Sequence, residues 1–219
     1  PGSSQRFLDK SRSLAADCVA YDLEDSVTPH KKAEARQLVR RAIDQAAPTQ
    51  IQRKTPISIL ALIESAKSIT NLNEICRATP LLQGLIFAAE DFALDLSLTR
   101  TPSLTEFLFA RSAIVTAARA HDLPSTIDLV CTAYRSDSAK QLLEEESRGG
   151  KRLGFNGKQC IHPTQVETVQ RVFSPEAEEV EWAVRVMIAD AKAAEAGKGA
   201  WTLDGKMIDV PVAEKEKSI

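Results

Sequence analysis

Short apolar runs, each ending in acidic or polar residues, alternate with longer amphipathic segments along this chain. The apolar runs predict five β-strands, at Cys18–Tyr21, Ile57–Ile63, Gly84–Ala89, Ile127–Cys131 and Gly157–His162. Apolar residues at helical spacing predict the helices between and after them, at His30–Ala47, Ala66–Ala78, Leu104–Ala120, Ser138–Arg148 and Ala177–Ala196. Repeated strand–helix units of this kind favour a parallel sheet covered by helices.

Charged residues gather at the C-terminal ends of the first three predicted strands. They are Asp22, Glu24 and Asp25 after the first strand, Glu64 after the second, and Glu90 and Asp91 after the third. This pattern favours a (β/α)8 TIM barrel, whose active site is built from the C-terminal ends of its strands. An open doubly wound sheet is the alternative, although no glycine-rich phosphate turn follows the first strand.

The strand count falls short of a closed barrel, which needs eight strands. Five predicted strands would leave two long apolar edges exposed, and soluble proteins avoid such edges. We therefore expect an α/β barrel from which some strands are missing in this sequence, followed by a C-terminal extension. The expected division is a barrel domain over residues 1–196 and an extension over residues 197–219.

Composition narrows the classes of function. The chain has 219 residues and a formal net charge of −2, with Lys and Arg spread along it, so we expect no nucleic-acid partner. Its apolar runs are too short to span a bilayer, so we expect no membrane partner. Three of the four cysteines lie in or beside apolar runs, which predicts reduced thiols in the core: Cys18, Cys131 and Cys160.

The strand-end acids predict a metal site. Carboxylates brought together at one rim repel each other unless a cation or protons intervene. Oxygen ligands with few histidines suit Mg2+ or Mn2+. The alternative is that these acids cap the helices that follow them. Because Glu64 is followed by Ser65, itself a good helix cap, a separate task for Glu64 is favoured.

Other polar residues have two interpretations each. Lys158 can meet a phosphate or pantetheine oxygen, or it can form an ion pair. His162 can act as a base or as a hydrogen-bonded structural group. Arg36 and Arg111 lie on predicted helices, which favours salt bridges.

The tail after residue 197 is punctuated by glycine and carries apolar residues that would be exposed if it hung free. These are Trp201, Leu203, Met207 and Ile208. We expect the tail to dock on a surface, which can belong to another subunit. Docking would then deliver Asp209 into a cleft.

Six stretches together resemble the citrate lyase β-subunit family, within the HpcH/HpaI aldolase superfamily. They are PGSSQRFLDKS, DCVAYDLEDSVTPHKKAEAR, LIESAKSITNLNEI, LIFAAEDFALDL, LGFNGKQCIHPTQVETVQRVFSP and GKGAWTLDGKMIDVP. They cover most of the chain in the family's order. The tail resembles family members of the citramalyl-CoA lyase type, which are mitochondrial in animals and fungi.

The resemblance implies a (β/α)8 barrel, a homotrimer and Mg2+-assisted cleavage or condensation of acyl-coenzyme A thioesters. Glu64 and Asp91 match the family's metal-ligand acids. Asp209 matches the tail aspartate of the acid–base chemistry, in a neighbouring subunit's site. Asp22 and Asp25 match acids near the metal water or the substrate. A mitochondrial location is implied, and otherwise a cytoplasmic one, with no targeting segment visible.

The substrates implied are an acyl-coenzyme A and a keto acid, with Lys158 and Glu90 as candidates to contact them. The expected reaction is citramalyl-CoA to acetyl-CoA and pyruvate, or the reverse, malate-synthase-like condensation. The chain departs from the family where Ala88-Ala89 replaces Gly-Gly. It departs again between Asp44 and Pro56, where an Arg-x-Asn strand and a Leu-Pro-Lys strand are absent.

The first of these missing strands carries the arginine expected to bind the substrate. Its absence motivates a second hypothesis, a catalytically weak barrel that serves as a coenzyme A-binding or structural subunit. A third is a purely structural oligomer.

Overall fold

The computed structural model describes residues 1–46, 58–195, 197 and 199–217. These residues group into two compact units, one over residues 1–169 and the other over residues 170–219. The predicted boundary after residue 196 concerns a closed barrel and stays a prediction.

The first unit holds a parallel sheet. Its strands are β1 (Ile59–Ile63), β2 (Leu82–Phe87), β3 (Ser125–Asp128) and β4 (Gly157–Lys158). Its helices are α1 (Gln5–Ser11), α2 (Lys32–Ala46), α3 (Ala66–Thr70), α4 (Leu72–Arg77), α5 (Ala89–Leu96), α6 (Leu108–Ala120) and α7 (Asp137–Leu153), and α8 (Val166–Phe173) begins at its end. Short 3₁₀ turns lie at Pro29–Lys31, Thr105–Phe107 and Pro163–Gln165.

The strands follow one another across the sheet in chain order, and each neighbouring pair is parallel. Ile63 pairs with Phe87 where β1 and β2 end, and Asp128 pairs with Lys158 where β3 and β4 end. The C-terminal ends of all four described strands therefore lie along one edge of the sheet. The strand order of this described sheet shows no reversal, which a doubly wound sheet requires.

Aromatic rings form the centre of the first unit's core. Phe87 at the end of β2 packs edge-on against Phe92 of α5, with ring centroids 5.4 Å apart. Phe107 packs against Phe87 at 5.7 Å, and all three rings are buried. Edge-to-face pairs of this kind stabilise a core beyond their buried area. They also hold the start of α5 close to the end of β2.

One predicted strand is wrong. Residues Cys18–Tyr21 form no strand. The reason is that a strand needs a partner to bond its amides, and the described residues place no strand beside this segment. Beside this segment the Gly2 amide donates to the Asp22 carbonyl at 2.7 Å, and the Tyr21 hydroxyl lies 3.0 Å from the Ser11 hydroxyl.

Several other boundaries differ from those predicted. The predicted helix Ala66–Ala78 breaks at Asn71 into α3 and α4. The strand expected at Ile127–Cys131 begins earlier, as β3, and the one expected at Gly157–His162 is only two residues long, as β4. Helices α1, α5 and α8 were not predicted. The core thiols are Cys76 and Cys131, whereas Cys18 and Cys160 are exposed.

The second unit is built on α9 (Ala177–Glu195), the antiparallel strands β5 (Ala200–Leu203) and β6 (Lys206–Asp209), and α10 (Val210–Glu216). Val186 of α9, Ile208 of β6 and Ala213 of α10 form its core, and Trp182 and Trp201 pack around them. The tail therefore docks on α9 of its own chain. Met207 stays exposed.

No helix within the described ranges is long and apolar enough to cross a membrane.

Candidate active site

Glu64 stands at the sheet edge directly after β1, and it does not cap the next helix. The cap of α3 is Ser65, whose hydroxyl accepts a hydrogen bond of 3.2 Å from the Ser68 amide. The Ser68 hydroxyl in turn accepts a bond of 3.1 Å from the Ser65 amide. This reciprocal arrangement is a capping box. The capping alternative is therefore excluded for Glu64, whose side chain is exposed.

Asp91 lies in the first turn of α5, at the same edge. The Ala88 amide donates to the Ile63 carbonyl at 3.1 Å, which continues the β1–β2 ladder up to the start of the helix. Since Glu64 follows Ile63 directly, this register brings the two acidic positions together. The first turn of a helix also favours a negative charge.

The charge of Asp91 acts on the carboxylate of Glu64. Although Glu64 is exposed, the partial loss of its hydration raises its pKa, and the charge of Asp91 raises it further. Glu24 and Asp25 add smaller effects of the same sign. The like charges of Asp91, Glu24 and Asp25 thus disfavour the ionised form of Glu64.

Neither Glu64 nor Asp91 is neutralised by the residues that the structure describes. Their carboxylates make no hydrogen bond or ion pair with any of those residues, and the same holds for the carboxylate of Asp25. An unpaired acid whose pKa is raised by neighbouring like charges, as that of Glu64 is, is typical of functional sites.

Asp22 is engaged in its own loop. Its carboxylate accepts hydrogen bonds from the amides of Glu24, at 2.6 Å, and Ser26, at 3.3 Å. Partial burial works to raise the pKa of Asp22, but hydrogen bonds from Ser26 and Glu24 lower it overall. Asp22 thus shapes the loop that carries Asp25, and its expected catalytic part stays a prediction.

Glu90 and Lys158 belong to one chain of ion pairs. Glu90 pairs with Arg100. Arg100 also binds Glu146, at 2.8 Å, and the second oxygen of Glu146 binds the Lys158 ammonium at 3.1 Å. Of the two interpretations of Lys158, the structure shows the ion pair. Its side chain is 0% exposed and its ammonium is bound by Glu146. Contact of Glu90 or Lys158 with a substrate stays a prediction.

A second buried pair lies at the end of β3. The Nε and Nη2 groups of Arg111 donate to the two carboxylate oxygens of Asp128, at 3.1 and 2.6 Å, and both side chains are buried. The predicted salt bridge of Arg111 is confirmed. Gly150 of α7 allows the approach, since a Cβ there would lie 2.4 Å from an Asp128 oxygen.

His162 has a structural contact. Its Nδ1 accepts a hydrogen bond of 3.3 Å from the Thr164 amide and caps the turn Pro163–Gln165. Its ring stacks on Tyr134, with centroids 4.8 Å apart. Tyr134 also lines a cavity of about 560 Å³, together with Arg135 and Lys140.

Asp209 lies in the second unit, at the junction of β6 and α10. One of its carboxylate oxygens caps α10 by accepting a bond of 3.2 Å from the Val212 amide. This contact is a helix cap, and the expected acid–base role of Asp209 stays a prediction.

The donor set fits a hard divalent cation held by few protein ligands. Within the described part of the chain, three or more His, Cys, Asp or Glu side chains do not come together as a metal-binding group. Glu64 and Asp91 offer two unpaired carboxylates. Mg2+ is commonly bound by one or two carboxylates together with waters and substrate oxygens. Two acids at a solvent-exposed edge match that pattern.

A model of the family described as HpcH/HpaI aldolase/citrate lyase matches residues 1–55 and 47–163. The chain belongs to this family. The match falls into two parts that meet around residues 47–55, which is where the sequence predicted missing family strands.

Curated relatives cover the whole chain. It is 28% identical to the mitochondrial citramalyl-CoA lyase of Homo sapiens, over 100% of this chain and 82% of that protein. It is 29% identical to the citrate lyase subunit beta of Haemophilus influenzae, over 100% of this chain and 93% of that protein. The human alignment spans 282 residues, more than the 219 of this chain, so the human protein carries residues that this chain lacks.

A solved structure shares the fold over the same length. It is protein CitE from Mycobacterium tuberculosis in complex with magnesium, acetoacetate and coenzyme A, at 25% identity and a TM-score of 0.76. The match covers 100% of this chain and 93% of that chain.

Two residues of the ion-pair chain were missed by sequence reasoning. Glu146 lies in an acidic run, but it shares the buried face of α7 with Ala139, Leu143 and Gly150. That helical spacing is the signal that would have found it. Arg100 lies in a polar loop whose pattern indicates nothing about its partners.

Proposed function

We propose that this protein is a Mg2+-dependent carbon–carbon lyase that acts on acyl-coenzyme A thioesters. The observation that carries the proposal is the pair of unpaired carboxylates, Glu64 and Asp91, at the C-terminal edge of the sheet. Family membership supports it, and so does the magnesium, acetoacetate and coenzyme A in the similar structure from M. tuberculosis.

The proposed substrate is citramalyl-CoA, after the human relative of that name. Glu64 and Asp91 would hold the ion, which offsets negative charge on the oxygens of the keto-acid half. Their mutual repulsion favours this role, because a divalent cation relieves it.

The residues of this chain would handle the protons. Asp25 is the candidate to take the substrate hydroxyl proton, since its carboxylate is not held by the described residues, whereas Asp22 is held by its loop. The bond between the hydroxyl carbon and the α-carbon of the thioester then breaks. Its electron pair stays on the α-carbon as the enolate of acetyl-CoA, and the hydroxyl carbon becomes the carbonyl of pyruvate. Asp209, from a neighbouring subunit, would deliver a proton to the enolate. In the condensation direction it would remove that proton.

A cavity in the first unit supports the proposed binding of coenzyme A. The cavity next to Tyr134 measures about 560 Å³, and Arg135 and Lys140 supply two positive charges for phosphate groups. We assign the thioester's nucleotide end to this cavity.

The proposal includes a closed barrel, assembled as a homotrimer in the mitochondrion. Chain-ordered parallel strands support a barrel, because right-handed crossovers then place all helices on one face. β1 is an outermost strand of the described sheet, and its apolar residues are exposed. Further strands paired beside β1 would cover these residues, which are Ile59, Leu60 and Leu62. The human relative is a mitochondrial enzyme by name.

One assay tests the reaction. Purified protein is incubated with Mg2+ and citramalyl-CoA, and pyruvate is followed with a lactate dehydrogenase coupling enzyme. We expect pyruvate that disappears with EDTA and in Glu64→Gln. Glu74→Gln, the same charge change at an exposed position of α4, is the matched control and should behave like the parent.

The second candidate is a catalytically weak barrel that binds coenzyme A. The break in the family match around residues 47–55 favours it, because the substrate arginine is expected there. Binding of the thioester without pyruvate formation would support this candidate and contradict the lyase. A purely structural oligomer would bind the thioester equally well with and without Mg2+.

A further inference from the structure

The Arg100 guanidinium joins the end of one strand, β3, to two helices, α5 and α7. It donates to the Glu146 carboxylate of α7 at 2.8 Å and to the Val130 carbonyl just after β3 at 3.0 Å. It also donates to Glu90. Glu90 immediately precedes Asp91 in the first turn of α5. One side chain thus ties that turn to the edge where β3 ends.

Glu146 extends the link to β4. One of its oxygens accepts from Arg100 and the other from the Lys158 ammonium, and its own side chain is 3% exposed. Burying charges is costly, so such a network is weak evidence for a contribution to stability. The geometry of this ion-pair network is better explained by the way it fixes α5, α7 and the ends of β3 and β4 relative to one another.

Arg100 is also held through its own backbone. The next residue, Thr101, donates its amide to Glu106 at 2.6 Å and its hydroxyl to the same carboxylate at 2.8 Å. The loop that carries Arg100 is therefore anchored near the start of α6. The Arg100 side chain is therefore held both at its guanidinium and at the backbone that carries it. This lets it keep Glu90 in a defined place.

We propose that Arg100 is a positioning residue for the carboxylate pair. It fixes the first turn of α5, and with it Asp91, relative to the ends of β3 and β4. The inference rests on the proposed function, in which Asp91 holds the ion. Lysine cannot replace Arg100, because an ammonium lacks the planar fork that reaches Glu90, Glu146 and the Val130 carbonyl together.

The test uses variants that keep every charge, so that only geometry changes. Arg100→Lys and Glu146→Asp are compared with the parent by titration with Mn2+ alone, followed by calorimetry or electron paramagnetic resonance. Circular dichroism reports whether each variant is folded. We expect Mn2+ affinity to fall about 10-fold, the low end of the loss seen when supporting residues of metal sites are changed.

A matched control lies on the surface of α7. Arg148 pairs with Glu144 at 2.8 Å, and its side chain is half exposed. Arg148→Lys makes the same chemical change away from the site and should leave Mn2+ affinity unchanged. A similar loss in this control would overturn the inference.

A third variant tests the positioning role even if Arg100→Lys and Glu146→Asp, which alter buried side chains, prevent folding. Glu90 is half exposed, so Glu90→Asp leaves the core intact while drawing the carboxylate back from Arg100. We expect weaker Mn2+ binding here too. We also expect little added loss when Arg100→Lys is combined with Glu90→Asp, because Arg100 acts through Glu90.

The outcomes separate the two proposals. Parent-like affinity in folded Arg100→Lys or in Glu90→Asp overturns the positioning role. Parent-like affinity in Asp91→Asn instead overturns the metal site itself, and the proposed function with it. Loss in Asp91→Asn together with a smaller loss in Arg100→Lys supports both.

Discussion

Replacement of Glu64 by glutamine tests whether the repulsion between the acids of the candidate site destabilises the fold when no cation is bound. Desolvation and the charge of Asp91 raise the pKa of Glu64 above its ordinary value of 4.5. A carboxyl group with a raised pKa in the folded state destabilises the fold once it ionises. Its contribution is most favourable below the unfolded pKa and is lost as the pH rises through the folded pKa. At pH 7, glutamine therefore removes an unfavourable charge while it keeps the shape.

The size of the effect follows from exposure. Single ion contacts at an exposed position are worth about 0.2–1 kcal/mol after solvent screening. Three like charges act on Glu64, so the variant should be more stable by about 1 kcal/mol when no divalent ion is present. For a chain of this length that is about 2–4 °C in the melting temperature.

Mg2+ should make the parent more stable than the Glu64→Gln variant. An ion at 100 times its dissociation constant stabilises the folded parent by about 2.7 kcal/mol, or roughly 5–10 °C. Glu64→Gln loses one of two carboxylate ligands and should gain little. The parent is thus expected to melt lower than the variant in EDTA and higher than it in saturating Mg2+.

Differential scanning calorimetry with EDTA and with Mg2+ measures both halves of this prediction. Glu74→Gln, an exposed acid of α4 outside the cluster, controls for the change in net charge. Equal Mg2+-induced shifts in the melting temperatures of the parent and of Glu64→Gln would contradict a cation site at Glu64. A lower stability of Glu64→Gln in EDTA would contradict the repulsion between the acids.

Three further predictions concern single residues. Asp209→Asn should lower turnover by about 10²–10⁴-fold while Mn2+ affinity is kept, and unchanged turnover would exclude its acid–base role. Asp128→Asn leaves Arg111 buried without its charge partner, so denaturant titration should show a loss of about 3–5 kcal/mol in the free energy of unfolding; a loss below about 1 kcal/mol would contradict the importance of the pair. Gly150→Ala places a Cβ 2.4 Å from Asp128 and should cost about 1–3 kcal/mol by the same measurement. Gly149→Ala on the same helix meets open space and should gain up to about 1 kcal/mol, so equal effects at the two glycines would argue against the close approach.

Local patterns in the sequence predicted several of the elements and the positions of the acids after β1 and β2. Apolar runs identified the segments of β1 and β2, because a buried strand requires apolar residues whatever surrounds it. Ser65 next to Glu64 showed that capping was already provided, and the structure confirms the capping box. Acids at strand ends come together because parallel strands end at one edge. This proximity follows from the parallel sheet itself and does not depend on any particular contact between side chains.

Contacts between distant segments were decided by the tertiary structure. The segment Cys18–Tyr21 has the composition of a strand but forms none, since a strand exists only where another can pair with it. Arg100 meets Glu146 across 46 positions of sequence, and no local pattern encodes that meeting. Lys158 is an ion-pair partner because burial brings it against Glu146.

The sequence alone thus determined the class of fold, the strand-end acids and the family, because these depend on the order of residue types along the chain. The tertiary structure alone decided which charges are paired and which are left unpaired. An ion pair depends on the distance between side chains and on the water removed around them, and both are set only when the chain is packed. Among the described residues, the tertiary structure holds Asp22, Glu90 and Glu146 in hydrogen bonds or ion pairs and leaves the carboxylates of Asp25, Glu64 and Asp91 without them.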